Sequence, residues 1–325
     1  PTTLVNVIVS IACLPSAKVW MLCIVFHPLY ARCSIATKRP RSRKNGKKMT
    51  KRIAFQGELG AYSHEAAYAA RPDMAPLPCK TFDDVIDAVL SKAADLAVLP
   101  VENSTYGRVA DMHRLLPQSG LHIIGETFTR VRICLMANPG VTIDEIQKVR
   151  AHLVLLPQAD GFLKKHNILA EAAADSAGAA AELAQSGARD SGVLASELAA
   201  KSYGLNILAK DIEDYHHNTT RFLVMSPKPD YDLSQADTVM TTFVFQVRNI
   251  PAALYKALGG FATNGVNMTK IESYMVGGSF TATQFYADIE GHPNDENVKR
   301  AMEELEYFTD SITILGIYPA AKDRV

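Results

Sequence analysis

Asp211-Ile-Glu-Asp-Tyr-His-His-Asn-Thr-Thr-Arg-Phe-Leu-Val-Met225 is a polar, charged loop that runs without a break into an apolar strand. At the junction Asn218, Thr219, Thr220 and Arg221 set an amide, two hydroxyls and a guanidinium side by side, where a rigid element can aim them at a small ligand. Arginine can grip a carboxylate through two parallel hydrogen bonds, and a neighbouring hydroxyl can donate to a leaving oxygen once water is excluded. The same letters also allow a plainer reading, in which Thr-Thr favours a strand and Arg221 is a solvated edge charge.

Working outward toward the N-terminus, strand and helix alternate from Arg52. Ile53-Ala-Phe-Gln56 reads as a strand, Gly57-Glu-Leu-Gly60-Ala-Tyr-Ser63 as a turn, and His64 to Ala70 as a helix capped by Ser63. Gly57 and Gly60 match no phosphate-loop pattern; they make a turn, whose following helix could attract a carboxylate through free amides. Thr81 caps a second helix with Val85, Ile86, Val89 and Leu90 on one face. Asp95 to Val101 is a strand that delivers Glu102-Asn-Ser104 at its carboxyl end, where open α/β sheets bind ligands. Asn103 or Ser104 could equally serve as a helix cap.

Further along, Thr142-Ile-Asp-Glu145 has capping-box spacing and predicts a helix start, with helices also expected at 157–166, 176–186 and 196–203 and short strands near 192 and 206. This βα alternation points to parallel sheets covered by helices on both faces. Pro227 to Asp237 reads as a linker. Beyond it, a strand at 241–247, a helix from Pro251 to about Ala262, strands at 266–273 and 280–289 around Gly277-Gly278, a helix at 294–306 and a strand at 311–317 spell a ferredoxin-like βαββαβ unit.

The formal charge of zero conceals an asymmetry. Residues 1–50 hold nine basic and no acidic side chains, so the remainder carries 25 basic against 34 acidic residues, a formal −9. An acidic body argues against a nucleic-acid partner. The apolar patches of residues 1–37 are broken by Pro15, Lys18, His27, Pro28 and Arg32, which argues against a membrane span. With a basic run at Lys38–Lys48 and Met49 directly before the first strand, residues 1–48 read as a disordered or extraneous extension. Cys79 and Cys134 lie far apart, with no spacing for a metal or a disulfide framework, and a reducing cytoplasm is the simplest compartment. Adjacent His216 and His217 read as solvated, and His152 as structural.

Taken in order, these stretches resemble the prephenate dehydratase family with its C-terminal ACT regulatory domain. The resemblance rests on Gly57-x-x-Gly60-x-x-Ser63, Pro100-Val-Glu-Asn-Ser104 with Gly107, Ala195-Ser-Glu-Leu-Ala-Ala200, Ile212-Glu-Asp214 and Asn218-x-Thr220-Arg221-Phe222. The family's His-rich, Gln-Cys segment is altered here to His152-Leu-Val-Leu-Leu-Pro-Gln158-Ala159. The resemblance implies an α/β catalytic domain at 52–228, two-lobed like type 2 periplasmic binding proteins (lobes 52–129 plus 210–228, and 130–209), a linker at 229–240 and an ACT domain at 241–319.

It further implies loss of water and carbon dioxide from prephenate to give phenylpyruvate, a downhill aromatisation that calls for no metal or cofactor. Thr220 matches the family's essential threonine, and Arg221, Asn103, Ser104, Ser63, Thr219 and Phe222 are the expected substrate contacts. Phenylalanine is the expected effector, bound between paired ACT domains of a homodimer or homotetramer by Ala252, Ala253, Leu254, Asn267, Met268, Glu272 and Ser273. The family motifs are altered at Ala252 and Tyr274. The same chemistry on the aminated substrate, arogenate, and a non-catalytic amino-acid sensor are the competing readings.

Overall fold

The computed structural model describes residues 50–215, 217–229, 233–234, 236–248, 250–275 and 282–324. The expectations for residues 1–48, for His216 and for the Gly277-Gly278 turn lie outside these residues. In chain order the first lobe comprises β1 (Arg52–Gln56), α1 (Tyr62–Ala70), β2 (Ala75–Cys79), α2 (Phe82–Leu90), β3 (Leu96–Asn103), the short β4 (Gly107–Arg108), α3 (Ala110–Leu115) and β5 (His122–Arg130). The second lobe comprises β6 (Cys134–Ala137), β7 (Lys148–His152), α4 (Asp160–Lys165), β8 (Leu169–Ala173), α5 (Ser176–Ser186), β9 (Ser191–Ala195), α6 (Glu197–Tyr203) and β10 (Asn206–Ala209). The chain returns to the first lobe as β11 (Thr219–Ser226). The last unit is β12 (Val239–Val247), α7 (Ala253–Thr263), β13 (Met268–Met275), β14 (Ala282–Glu290), α8 (Glu296–Phe308) and β15 (Thr309–Pro319).

The second lobe is a five-stranded sheet, β10-β6-β9-β7-β8. The first lobe and the βαββαβ unit share one larger sheet, β13-β14-β12-β15-β5-β11-β3-β1-β2, with β4 beside β3. Both sheets are mixed, not parallel as the alternation suggested: β11 runs antiparallel to both β3 and β5, and β6 is antiparallel to β9 and β10. No single βαβ crossover leads from β3 or β5 into β11, which is reached through the whole second lobe, so nothing requires it to run parallel to them. Within the sheet the first lobe and the last unit are paired through a parallel bridge of Gly316 with Ile123. A Cβ at Gly316 would collide with the Ile123 carbonyl oxygen, so only glycine permits this approach.

Local rules account for most elements. Thr81 and Asp84 form a capping box on α2, which buries Val85, Ile86 and Val89 but leaves Leu90 exposed. Ser196 and Asp175 cap α6 and α5 by accepting from Ala199 and Gly178 N–H. Helix α1 starts earlier than expected: its N-cap is Ala61, and Ser63 lies within the first turn instead of capping it. The Thr142/Glu145 capping box also forms, yet it closes only a 3-10 turn at Ile143–Glu145. The residues that follow, from Lys148, are claimed instead by β7, which pairs with β8 and β9. Strand β2 is hidden in the sequence because Pro76 and Pro78 stand in it, which an edge strand tolerates.

Five apolar clusters form the interior of the described residues, two of them in the second lobe around Val149 and Leu194 and around Ala180 and Val193. One core, including Ile86, Leu99, Met112, Leu223, Val244 and Tyr286, packs α2 and α3 against the first-lobe and last-unit strands of the larger sheet. Another, with Phe243, Phe261, Phe285 and Leu305, joins the last unit's strands to α7 and α8. A third, with Ile53, Phe55, Phe222 and Val224, packs under α1. Cys79 and Cys134 are free thiols packed against apolar neighbours. Among the described residues no helix is long and apolar enough to cross a membrane.

Candidate active site

Strand β11 has two faces with different duties. Phe222 and Val224 point toward α1, while Leu223 and Met225 point toward the βαββαβ unit. Since side chains alternate along a strand, Thr220 falls on the first face and Arg221 on the second. In register, Thr220 lies opposite Asn103 of β3 and Thr129 of β5, and Arg221 opposite Glu102 and Phe128.

On the Thr220 face lies a cleft of about 410 Å³ between the two lobes. Thr220, Asn103 and Ser63 line it together with Tyr62, Tyr106, His152, Gln158, Asp175, Ser176 and Asn218 and an apolar wall of Val109, Val131 and Leu155. No lysine or arginine is among the described residues that line it. Among these residues a carboxylate entering here meets no lysine or arginine. The N-terminus of α1 has no side-chain cap, and its Tyr62 and Ser63 N–H groups have no partner among the described residues. These amides, with the Ser63 hydroxyl, form a site suited to an anion.

The Gly57–Ala61 turn that leads into α1 is locked from beneath. The Gly60 N–H donates to His64 Nδ1 at 3.0 Å, and the His64 ring stacks on Phe55 with centroids 5.1 Å apart. Burial lowers the His64 pKa, consistent with a neutral ring that accepts at Nδ1. Gly60 has φ +89°, and a Cβ there would stand 2.5 Å from the Ala199 Cα of α6. Its role is therefore close approach of the second lobe, reinforced by the Ser196 hydroxyl donating to the Gly60 carbonyl at 2.5 Å. Tyr62 Oη donates to the Arg132 carbonyl at 2.8 Å, and burial keeps that phenol protonated by raising its pKa. Where the chain passes between the lobes, Glu213 accepts from the Ile133 N–H at 3.0 Å and from Arg130 at 3.2 Å.

The hydroxyl of Thr220 accepts a hydrogen bond from Asn103 Nδ2 at 2.9 Å. The Asn103 amide is oriented by its other end, where Oδ1 accepts from the Thr105 and Tyr106 N–H groups, both at 2.9 Å.

The other expected contacts are elsewhere. Arg221 is 2% exposed and its guanidinium is consumed by Asp288 at 2.6 Å, Glu126 at 2.7 Å, Glu102 at 2.8 Å and Tyr318 Oη at 2.9 Å. It is neither a clamp in the cleft nor a solvated edge charge. Burial alone would raise the Glu102 pKa, but Arg221 and Lys270 together hold it below the usual range. Phe222 is a core residue at 2% exposure. Ser104 and Thr219 stand away from the cleft and pin the strand: Ser104 Oγ donates to the His217 carbonyl and accepts the Thr219 N–H, each at 2.9 Å. Conversely, His152, expected to be structural, lines the cleft, and its Nδ1 accepts from the Val154 N–H at 3.3 Å.

Of the expected effector residues, Ala252 is the N-cap of α7, Ala253 is buried, and Leu254 and Met268 pack on the same core. The Asn267 carbonyl accepts from the Glu290 N–H at 3.0 Å, and the Ser273 carbonyl accepts from Arg108 at 3.0 Å. Glu272 turns inward to Lys270 at 2.6 Å and to the buried His113, whose Nε2 is 2.7 Å away but out of line for a hydrogen bond.

The family model described as PDT, prephenate dehydratase, matches residues 53–230, which spans the cleft and both lobes. The chain belongs to the prephenate dehydratase family. Among similar proteins is a bifunctional N-acyl-homoserine lactone acylase/prephenate dehydratase of Komagataeibacter europaeus, 47% identical over 84% of this chain and 97% of the relative. Another is arogenate dehydratase/prephenate dehydratase 2 of Arabidopsis thaliana, 40% identical over 82% of this chain and 72% of that protein. The structure of a prephenate dehydratase from Arthrobacter aurescens in complex with L-Phe superposes with a TM-score of 0.76 at 28% identity, covering 84% of this chain and 91% of the other. This family member is thus a carbon–oxygen lyase whose relatives are named as dehydratases.

Proposed function

We propose that the protein converts prephenate to phenylpyruvate, with Thr220 beside the departing ring hydroxyl. The observation that carries this reading is the Thr220 hydroxyl itself. Its oxygen is occupied by the Asn103 amide, which leaves its proton to be directed into the cleft. The electron pair of the ring carbon–carboxylate bond moves into the ring as carbon dioxide leaves. The ring carbon–oxygen bond then breaks, and the departing oxygen takes up a proton to leave as water. A threonine is a weak acid, so Thr220 stabilises the leaving oxygen by hydrogen bonding while water supplies the proton. The side-chain carboxylate rests on the Tyr62 and Ser63 amides, and the apolar wall of Val109, Val131 and Leu155 strips water from the carboxylate that is lost.

Asp175 favours a second reading. It is a carboxylate on a wall that lacks lysine and arginine, and it could receive the ammonium of arogenate. Purified protein is to be offered prephenate, arogenate and, in view of the 47% identical relative, an N-acyl-homoserine lactone. Formation of phenylpyruvate supports the first reading and formation of phenylalanine the second. Release of neither aromatic product overturns both.

For the 239–319 unit we infer an ACT-type regulatory role with phenylalanine as effector and pairing of these units as the means of oligomerisation. The βαββαβ order and the L-Phe complex of the Arthrobacter relative support it. The inward turn of Glu272 restricts the effector contacts to the Ala252–Leu254 and Asn267–Met268 segments. Calorimetric titration of phenylalanine alongside turnover tests this, with a coupling of about 1–3 kcal/mol expected; absence of binding at millimolar ligand overturns it.

A further inference from the structure

Thr220 sits at the end of a chain of amides that crosses from one lobe to the other. Gln158, in the second lobe, donates from Nε2 to the Val154 carbonyl at 2.7 Å and to Tyr106 Oη at 3.3 Å. Its Oε1 is thereby left to accept, and it does so from Asn218 Nδ2 at 2.6 Å. Asn218 must then present Oδ1 at its other end, which accepts from Asn103 Nδ2 at 2.6 Å. Asn103 cannot turn over, because its own Oδ1 is held by two backbone N–H groups. Its Nδ2 therefore donates to both Asn218 and Thr220.

The polarity of the whole chain is set by backbone groups at its two ends. Ordinarily the O and N of an amide side chain can exchange places at little cost. Here, inverting any one amide would set oxygen against oxygen or N–H against N–H within a dry site, since Asn218 is 2% and Gln158 4% exposed.

We propose that Asn218 is a positioning residue for the reaction: it is the link through which the second lobe fixes the Asn103 amide, and so the direction of the Thr220 proton. Asn218 touches neither the leaving oxygen nor the carboxylates in this role; it acts through Asn103. A consequence is that the hydroxyl is aimed only when the lobes are together. Separation of the lobes removes Gln158 from Asn218, and Tyr106 Oη, which donates to the Val154 carbonyl at 3.0 Å, parts with it. The proposal rests on the prephenate dehydratase reading of the cleft.

Asn218→Asp tests it. An ionised aspartate cannot donate to Gln158 Oε1, whereas its protonated form can, and can still accept from Asn103. The expected result is a fall in kcat of about 10-fold or more at neutral and alkaline pH, recovered progressively toward acid pH, with KM changed far less than kcat. Gln158→Leu removes the acceptor from the other end of the chain and is expected to lower kcat without any acid recovery. Thermal unfolding of each variant checks that it is folded, and Gln158→Leu decides the matter if Asn218→Asp does not fold. A kcat within about twofold of the parent in a folded variant, or a loss in Asn218→Asp that is flat across pH, overturns the proposal. The parent protein, assayed in parallel, separates the two questions: if it converts neither prephenate nor arogenate, the functional reading has failed, and if it is active while the variants are unaffected, only the role of Asn218 has.

Discussion

Arg221 and Asp288 form a 2.6 Å ion pair with side chains only 2% and 0% exposed, and it ties the strand carrying Thr220 to the βαββαβ unit. Glu126, also 0% exposed, shares the guanidinium, and Arg324 reaches both carboxylates from the C-terminal end. An arginine one residue from the proposed catalytic threonine is thus spent on joining two parts of the molecule.

Arg221→Lys is therefore expected to act on stability and not on substrate affinity. Lysine keeps the charge but lacks the planar fork that serves three carboxylates and a phenol at once. Breaking a buried pair costs about 3–5 kcal/mol when a charge is left uncompensated, and the loss with lysine should approach the lower end. Chemical denaturation and Michaelis–Menten kinetics together check this; a raised KM with unchanged stability would restore Arg221 to the substrate site.

Thr220→Val should leave the fold and KM nearly intact while lowering kcat by about 100-fold or more, the scale for losing a transition-state hydrogen-bond donor. Valine preserves the branched shape and removes only the hydroxyl. Turnover close to the parent's would take Thr220 out of the mechanism.

Ala252 adopts φ +61° at the start of α7, a left-handed conformation that a Cβ disfavours. Ala252→Gly should raise stability by about 1 kcal/mol, since left-handed backbone costs a non-glycine residue about that much or more. A shifted denaturation midpoint with an unchanged slope would show it. Loss of stability would mean that the methyl contributes more by packing than it costs in strain.

His64 offers a pH test. Its folded-state pKa lies below the ordinary 6.5 because burial disfavours the charged ring. The unfolded chain therefore binds the proton first, and the stabilisation is complete above 6.5 and lost as pH falls through the folded value. In His64→Gln this increment of acid sensitivity should vanish from a profile of unfolding temperature against pH. An identical profile in parent and variant would count against the neutral, Nδ1-accepting ring.

The order of strands and helices was legible along the chain because the signals are local. The Thr81 capping box needs only Asp84, and the βαββαβ pattern follows from apolar periodicity broken by turns. Even so, a local bond does not guarantee an element: the Thr142/Glu145 box forms, but the strand pairing of β7 ends the helix after one turn. The placement of Thr220 at a strand start was readable for the same local reason.

Which neighbours of Thr220 share its cleft was a different matter. The period of two along a strand already implies that Thr220 and Arg221 face opposite ways. A sequence cannot say which face meets the other lobe and which meets the last unit, and that decided that Arg221 is buried among carboxylates. Nor could it bring Gln158 to Asn218, 60 residues apart, or Asn103 to Thr220, 117 apart. Such contacts depend on where the returning strand inserts between β3 and β5. Local propensity and patterning thus determined most of the elements, while β2, the short turn at Ile143–Glu145 and the distribution of charge and amide between the two faces of β11 were settled only when long-range strand pairing closed the sheets.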